Sequence, residues 1–366
     1  MTLLKRLVAV PWLMLLAAGL LVMAGALALY SASEGSWAPW AERHLMRAAL
    51  GFCLVLIIAS IPLRFLYNMS YLGLLAAIAV LAILQIVGIG TGATRWIVIA
   101  GFNFQPSEPA KIAVVIALAR YLSEIPNDRL DHIVSYVPAI VMLAVPFLLV
   151  LVQPDLGTSL MLLIAGATVI VSAGLPKRWV FGSLLAVLAS APIVWAQLYD
   201  YQKARIFTFL NPGSDEQGAG YQIIQSKIAL GSGGIFGKGF LMGSQSQLNY
   251  LPEKQTDFVF TMIGEEFGLV GNLVIIAVYF IILLSINMIA LRSQMKFGRL
   301  VCIGISMVLF SYVFVNIGMV TGLLPVVGAP LPLISYGGTA MLSMFVAFGV
   351  VVNIAMHTKY ERIEQL

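Results

Sequence analysis

Four short stretches place polar or ionisable residues among almost wholly apolar sequence, and each proposes a chemistry. In LPEKQTDFVFTMIGEEFG, Asp257 stands where a long polar segment gives way to an apolar run. A carboxylate half removed from water has a raised pKa and can take a proton from a sugar hydroxyl. The same residue would equally suit the N-terminus of a helix, where the dipole favours negative charge. Glu265 and Glu266 lie deeper in that run and need partners, so they read as members of a structural network.

In QPSEPAK, Ser107 can cap a helix, Pro109 fits its first turn, and Glu108 and Lys111 stand three residues apart on one face. An ion pair follows, serving either a helix bend or an anion-binding cavity. QPDLGTS puts Asp155 at a turn between two apolar runs, as a helix cap, or as a metal or phosphate ligand if a partner reaches it across the bundle. The fourth stretch, LLPVVGAPLPLISYGGT, is dense in Pro and Gly and contains nothing ionisable. It suits a cavity wall or a rigid lid.

The elements that must position these residues are membrane helices. The 366-residue chain is 60% hydrophobic and 10% charged, against roughly 45–50% and 25% in soluble domains. Apolar runs near 8–30, 45–61, 70–87, 105–122, 134–152, 156–173, 180–199, 257–290, 300–322 and 339–356 predict an all-α polytopic membrane protein of about ten spans. The first run follows Lys5 and Arg6 but is too long for a typical signal-peptide core, so it reads as a retained anchor. A helix from Ser107 to Arg120 is shorter than the hydrocarbon, so its N-terminus is expected within the membrane plane, beneath GIGTGATRWIVIAGFNF.

Basic residues are dealt out between the runs rather than clustered, which argues for topology and against nucleic acid as partner. With both termini inside, the inner loops receive Arg64, Arg120, Arg129, Lys177, Arg178, Arg292, Lys296 and Arg299, and the short outer loops only Arg43, Arg47 and Arg95. Cys53 and Cys302 lie inside apolar runs, and His44, His132 and His357 are scattered, so no disulfide framework or zinc motif is suggested. The segment from about 200 to 256 is too long to be a simple connection. Within it GYQIIQSKIAL, Gly220 to Leu230, predicts an amphipathic helix on the outer leaflet, and GSGGIFGKG supplies flexible backbone beside Lys238. Trp37, Trp40, Trp96 and Trp195 read as interface anchors.

GATRWI, QPSEPAK, QPDLGTS, GYQIIQSKIALGSGGIFGKG, QTDFVFTMIGEEFGLVG and LPLISYGGT, in that order, resemble the SEDS family of shape, elongation, division and sporulation proteins over nearly the whole chain. QSQLNYLPEKQTDF, with the preceding IALGSGGIFGKG, is more similar to the elongation branch, RodA, than to the division branch, FtsW. The resemblance implies one SEDS membrane domain over 1–366. It implies a peptidoglycan glycosyltransferase that polymerises lipid II at the outer face of the bacterial cytoplasmic (inner) membrane, beside a class B penicillin-binding protein of the elongation machinery. The family's required aspartate falls on Asp257, its intramembrane Glu and Lys on Glu108 and Lys111, and its Pro-Asp-Leu-Gly aspartate on Asp155.

For that reaction Asp257 is the expected base. Lys238, Arg205, Lys111 and Arg95 are candidate phosphate binders, with Lys238 preferred for its Gly neighbours, and Glu108 joins them in the substrate site. A divalent cation, Mg2+ or Mn2+, is expected to bridge the pyrophosphate, with Asp155 as its candidate protein ligand. Two rival functions follow from the same residues: a transporter that flips lipid II, and a scaffold that only activates its transpeptidase partner.

Overall fold

The computed structural model describes residues 10–87, 95–99, 102–197, 200–215, 218–248, 250, 251 and 253–364. Lys5 and Arg6, most of GIGTGATRWIVIAGFNF before Arg95, and Leu198 and Tyr199 lie outside them. The expected helical architecture is present as α1 (Trp12–Ala32), α2 (Trp40–Ser60), α3 (Leu63–Val87), α4 (Ser107–Glu124), α5 (Val137–Val152), α6 (Leu156–Ser172), α7 (Lys177–Gln197), α8 (Asp200–Leu210), α9 (Ala219–Ser232), α10 (Ser244–Gln247), α11 (Val259–Arg292), α12 (Lys296–Val320) and α13 (Gly338–Glu364). Among the described residues one antiparallel strand pair, β1 (Ile97–Ile99) with β2 (Phe102–Phe104), sets Ile97 against Phe104.

Among the described residues seven helices are long and apolar enough to cross a membrane: α1, α2, α3, α5 with the turn before it, α11, α12 and α13. Three more of the ten expected spans are apolar helices outside that criterion. Of these α6 has 17 residues, and α4 carries Glu108, Lys111, Arg120 and Glu124. The third, α7, exposes most of its apolar side chains, Phe181 and Leu185 among them, as a helix facing lipid would.

The interior is built on α4, α12 and α13. α12 packs against α4, α6 and α11, and α13 against α2. α4 runs to Glu124, past the expected end at Arg120; its 18 residues give about 27 Å at about 1.5 Å each, still a short crossing. The expected Ser107 cap does not form. Pro106 holds the cap position without a side-chain hydrogen bond, and Ser107 is buried.

The segment from 200 to 256 is largely folded into α8, α9 and α10. α9 coincides with the expected amphipathic helix but is not simply laid on a leaflet. Its Ile223, Ser226 and Ala229 are buried, α9 packs against α11, and the Ser226 hydroxyl lies 2.7 Å from Thr261 Oγ1 and 2.7 Å from the carbonyl of Val320. Bonding inward satisfies polar groups that the leaflet could not.

Candidate active site

Asp257 lies two residues before α11, half-buried. Its backbone carbonyl accepts from Asn316 Nδ2 at 2.8 Å, and the same amide reaches the carbonyl of Ala329 at 2.7 Å. The Pro- and Gly-rich stretch runs alongside as a strap. Ser335 donates to the carbonyl of Thr256 and accepts from the Leu331 N–H at 2.8 Å, while the Tyr336 N–H donates to the carbonyl of Gln255 at 2.9 Å. Arg47 of α2 fastens the strap from outside, 3.3 Å from the Tyr336 hydroxyl and over its ring. Backbone 255–257 is therefore held by two elements, α12 and the strap, with α2 bracing the strap, which restricts where the Asp257 carboxylate can go.

Burial raises the Asp257 carboxyl from its ordinary range to about 6, the neighbouring Glu253 carboxylate adds to that rise, and Arg205 on α8 opposes it. A group poised there is ionised at neutral pH yet basic enough to accept a proton. Gly328 of the strap passes against it: a Cβ on Gly328 would stand 3.4 Å from Asp257 Oδ2, at a backbone φ of +74°. A side chain there would touch the carboxylate at an ordinary contact distance, but that φ would strain any residue other than glycine.

Gly328 also lines a cavity of about 60 Å³ with Arg95, Trp96, Gln105, Glu108, Asp155 and Tyr312. That space suits a few waters rather than a sugar. Asp155 caps α6 by accepting from the Thr158 N–H at 3.2 Å, and its other oxygen accepts from Gln105 Nε2 at 2.9 Å. Lys111 pairs with Glu108 at 2.8 Å. Both are bonded to the Tyr312 hydroxyl, which receives from the ammonium and donates to Glu108. Arg95 turns inward, and its Nε is buried without a hydrogen-bond partner. Trp96 thus serves a cavity wall rather than an exposed anchor, whereas Trp37 and Trp195 are exposed as expected.

The structure brings Asp257 against the strap at Gly328, within the electrostatic reach of Arg205, and brings Arg95, Glu108 and Asp155 together around a cavity that Gly328 also lines, with Lys111 paired to Glu108. Lys238 is committed elsewhere. Its ammonium lies 2.7 Å from Glu265 and 2.8 Å from Ser244, so it is the lysine partner that Glu265 required. Glu266 accepts instead from Ser31 of α1. The glycines beside Lys238 do allow close approach, but to protein: a Cβ on Gly237 would stand 2.1 Å from the carbonyl of Glu266, and one on Gly233 2.0 Å from that of Gly264. α11 breaks at Gly268 to receive this loop, and Leu269 and Val270 N–H groups donate to the carbonyls of Gly234 and Ile235 at 3.0 and 3.1 Å.

Asp155 is already occupied as a cap and as the partner of Gln105, and among the described residues no group of three His, Cys, Asp or Glu is placed to hold an ion.

The FtsW/RodA/SpoVE family model, described as a cell cycle protein, matches residues 5–360. This chain belongs to that family. It is 44% identical over 354 residues to a peptidoglycan glycosyltransferase, MrdB, of Escherichia coli (strain K12), covering 95% of this chain and 94% of that protein. Among solved structures it is similar to one described as "Structural coordination of polymerization and crosslinking by a peptidoglycan synthase complex", with a TM-score of 0.81, 30% identity, and 95% and 98% of the two chains covered. It is also similar to the rod shape determining protein RodA of Thermus thermophilus, with a TM-score of 0.70, 26% identity, and 94% and 96% covered. The elongation-branch resemblance read from the loop agrees with these relatives.

Tyr312, Asn316, Gln105 and Glu253 were not singled out in the sequence. Tyr312 and Asn316 had a usable signal: they stand one helical turn apart in an apolar span, and both are buried, which marks a polar face turned into the bundle.

Proposed function

We propose that this multi-pass membrane protein is a peptidoglycan glycosyltransferase that joins lipid II units into glycan strands at the outer face of the cytoplasmic membrane during cell elongation and rod-shape maintenance. The observation that carries this reading is Asp257, a half-buried carboxylate at about 6 beside Arg205, clamped between α12 and the strap. Family membership and the names of the relatives support the reaction class.

In this reading Asp257 takes the proton of the acceptor sugar hydroxyl as its oxygen attacks the anomeric carbon of the donor. The carbon–oxygen bond to the pyrophosphate breaks on the opposite face, which converts an α-linkage to a β-linkage. The lipid pyrophosphate leaves as an anion and needs fixed positive charge. Arg205, which already feels Asp257, is the cation best placed to give it. Lys238 acts by holding the Gly-rich loop onto α11, and Arg95 by charging the cavity behind the strap. No step is assigned to a metal held by Asp155.

A class B penicillin-binding protein is the proposed partner, supported by the likeness to a synthase complex. Cytoplasmic termini are supported by the placing of Arg64 and Lys296 at one pocket beyond the far end of α11 from Asp257. The closed Glu108–Lys111–Tyr312 network weighs for an enzyme over a transporter, whose midplane charges must exchange partners.

The purified protein with its transpeptidase partner, lipid II and a divalent ion tests the reading. Glycan chains from wild type and none from Asp257→Ala are expected. Equal chains from both would end the glycosyltransferase assignment, and an Asp257→Asn variant that kept cell shape would favour the scaffold.

A further inference from the structure

A second, larger pocket, of about 790 Å³, opens where the α2–α3 turn, the α11–α12 turn and the end of α13 meet. We propose that it binds the phosphate headgroup of an anionic phospholipid, with the acyl chains leaving along the apolar outer wall of the bundle.

The charge at this pocket is one-sided. Arg64, Lys296 and His357 line it and no lining residue is acidic. Glu124 lies behind Tyr67 but is already held by that hydroxyl at 2.6 Å and by Arg120 at 3.3 Å. None of the ion pairs among the described residues involves Arg64 or Lys296, and the Lys296 amine nitrogen is buried without a hydrogen-bond partner. A buried, unpaired ammonium is costly and calls for an anion.

Helix ends add to the same field. Arg64 and Lys296 sit in the first turns of α3 and α12, neither of which carries an acidic residue there. Cations are disfavoured at helix N-termini and anions favoured. α12 has no side-chain cap, so its first N–H groups are free to donate to phosphate oxygens.

The walls choose between sources of phosphate. Met295, Phe297 and Met356 also line the pocket, at the ends of helices long enough to span a bilayer. A free phosphate ion would leave that apolar surface and most of the volume wet. A headgroup with the start of its chains covers both.

The test uses the full chain in phosphatidylcholine nanodiscs doped with phosphatidylglycerol, with the retained lipid counted by native mass spectrometry. Phosphatidylglycerol should be enriched on wild type, about fivefold less on Lys296→Gln and about thirtyfold less on Arg64→Gln/Lys296→Gln, at roughly one factor of five per basic group. Lys296→Arg should retain it, which separates loss of charge from loss of fold. Equal enrichment on wild type and the double variant would overturn the proposal. So would inorganic phosphate that displaces phosphatidylglycerol at equal concentration, since the site would then take the free ion.

Discussion

At the residue scale the chemistry turns on competing influences around Asp257. Desolvation and Glu253 hold its proton on, and Arg205 pulls it off. Only the ionised form is a base, so the rate should fall as pH drops through about 6. Arg205→Ala removes the opposing cation, so the acid limb should move upward by up to about one unit, read from the pH dependence of glycan formation. Glu108 and Lys111 make a different prediction because both are buried and mutually satisfied. Lys111→Met should cost roughly 3–5 kcal/mol by stranding a carboxylate, and Glu108→Gln/Lys111→Met should recover much of that; thermal unfolding in detergent measures both. Asp257 and the Glu108–Lys111 pair were legible in the sequence because charge inside apolar runs is conspicuous. Tyr312 and Asn316 were legible only as a polar face of α12, and Gly328 not at all, because their partners are set when α12 and the strap pack against elements far away in sequence.

The element scale explains why Lys238 is not where its neighbours suggested. Glycines in a row promise close backbone approach but do not say to what. Here the loop docks into the break in α11 at Gly268, with Lys238 and Gly239 N–H groups donating to the carbonyls of Glu265 and Glu266 at 3.0 Å each. Gly237→Ala would add strain at a φ of +82° and a clash with the Glu266 carbonyl. The expected result is a loss of at least about 1–3 kcal/mol, seen as a lower unfolding midpoint with Asp257 chemically intact. Hydropathy located the apolar helices well, since burial in lipid is a property of long runs. It misplaced ends and surfaces. α4 continues to Glu124 because Arg120 and Glu124 pair with each other and with Tyr67, and α9 turns onto α11 because Ser226 finds partners there.

For the whole molecule, Asp257 and the larger pocket lie beyond opposite ends of α11, so the proposed function puts them at opposite membrane faces. Single cysteines, introduced into a variant that lacks Cys53 and Cys302, test this. Glu253→Cys, at an exposed position beside Asp257, should react with a membrane-impermeant thiol reagent applied to intact spheroplasts. Arg64→Cys, also exposed, should react only after permeabilisation. The reverse pattern would invert the topology and move the chemistry away from an external substrate.

The pH dependence of glycan-chain formation by the purified protein and its transpeptidase partner, at limiting lipid II where the rate follows kcat/KM, bears on the base most directly. The rate should be half-maximal near pH 6, level about a unit above it and fall about tenfold per unit well below it, with Asp257→Asn slower than the wild-type plateau by about 10²-fold or more. A profile flat across that range, or an Asn variant as fast as wild type, would contradict it.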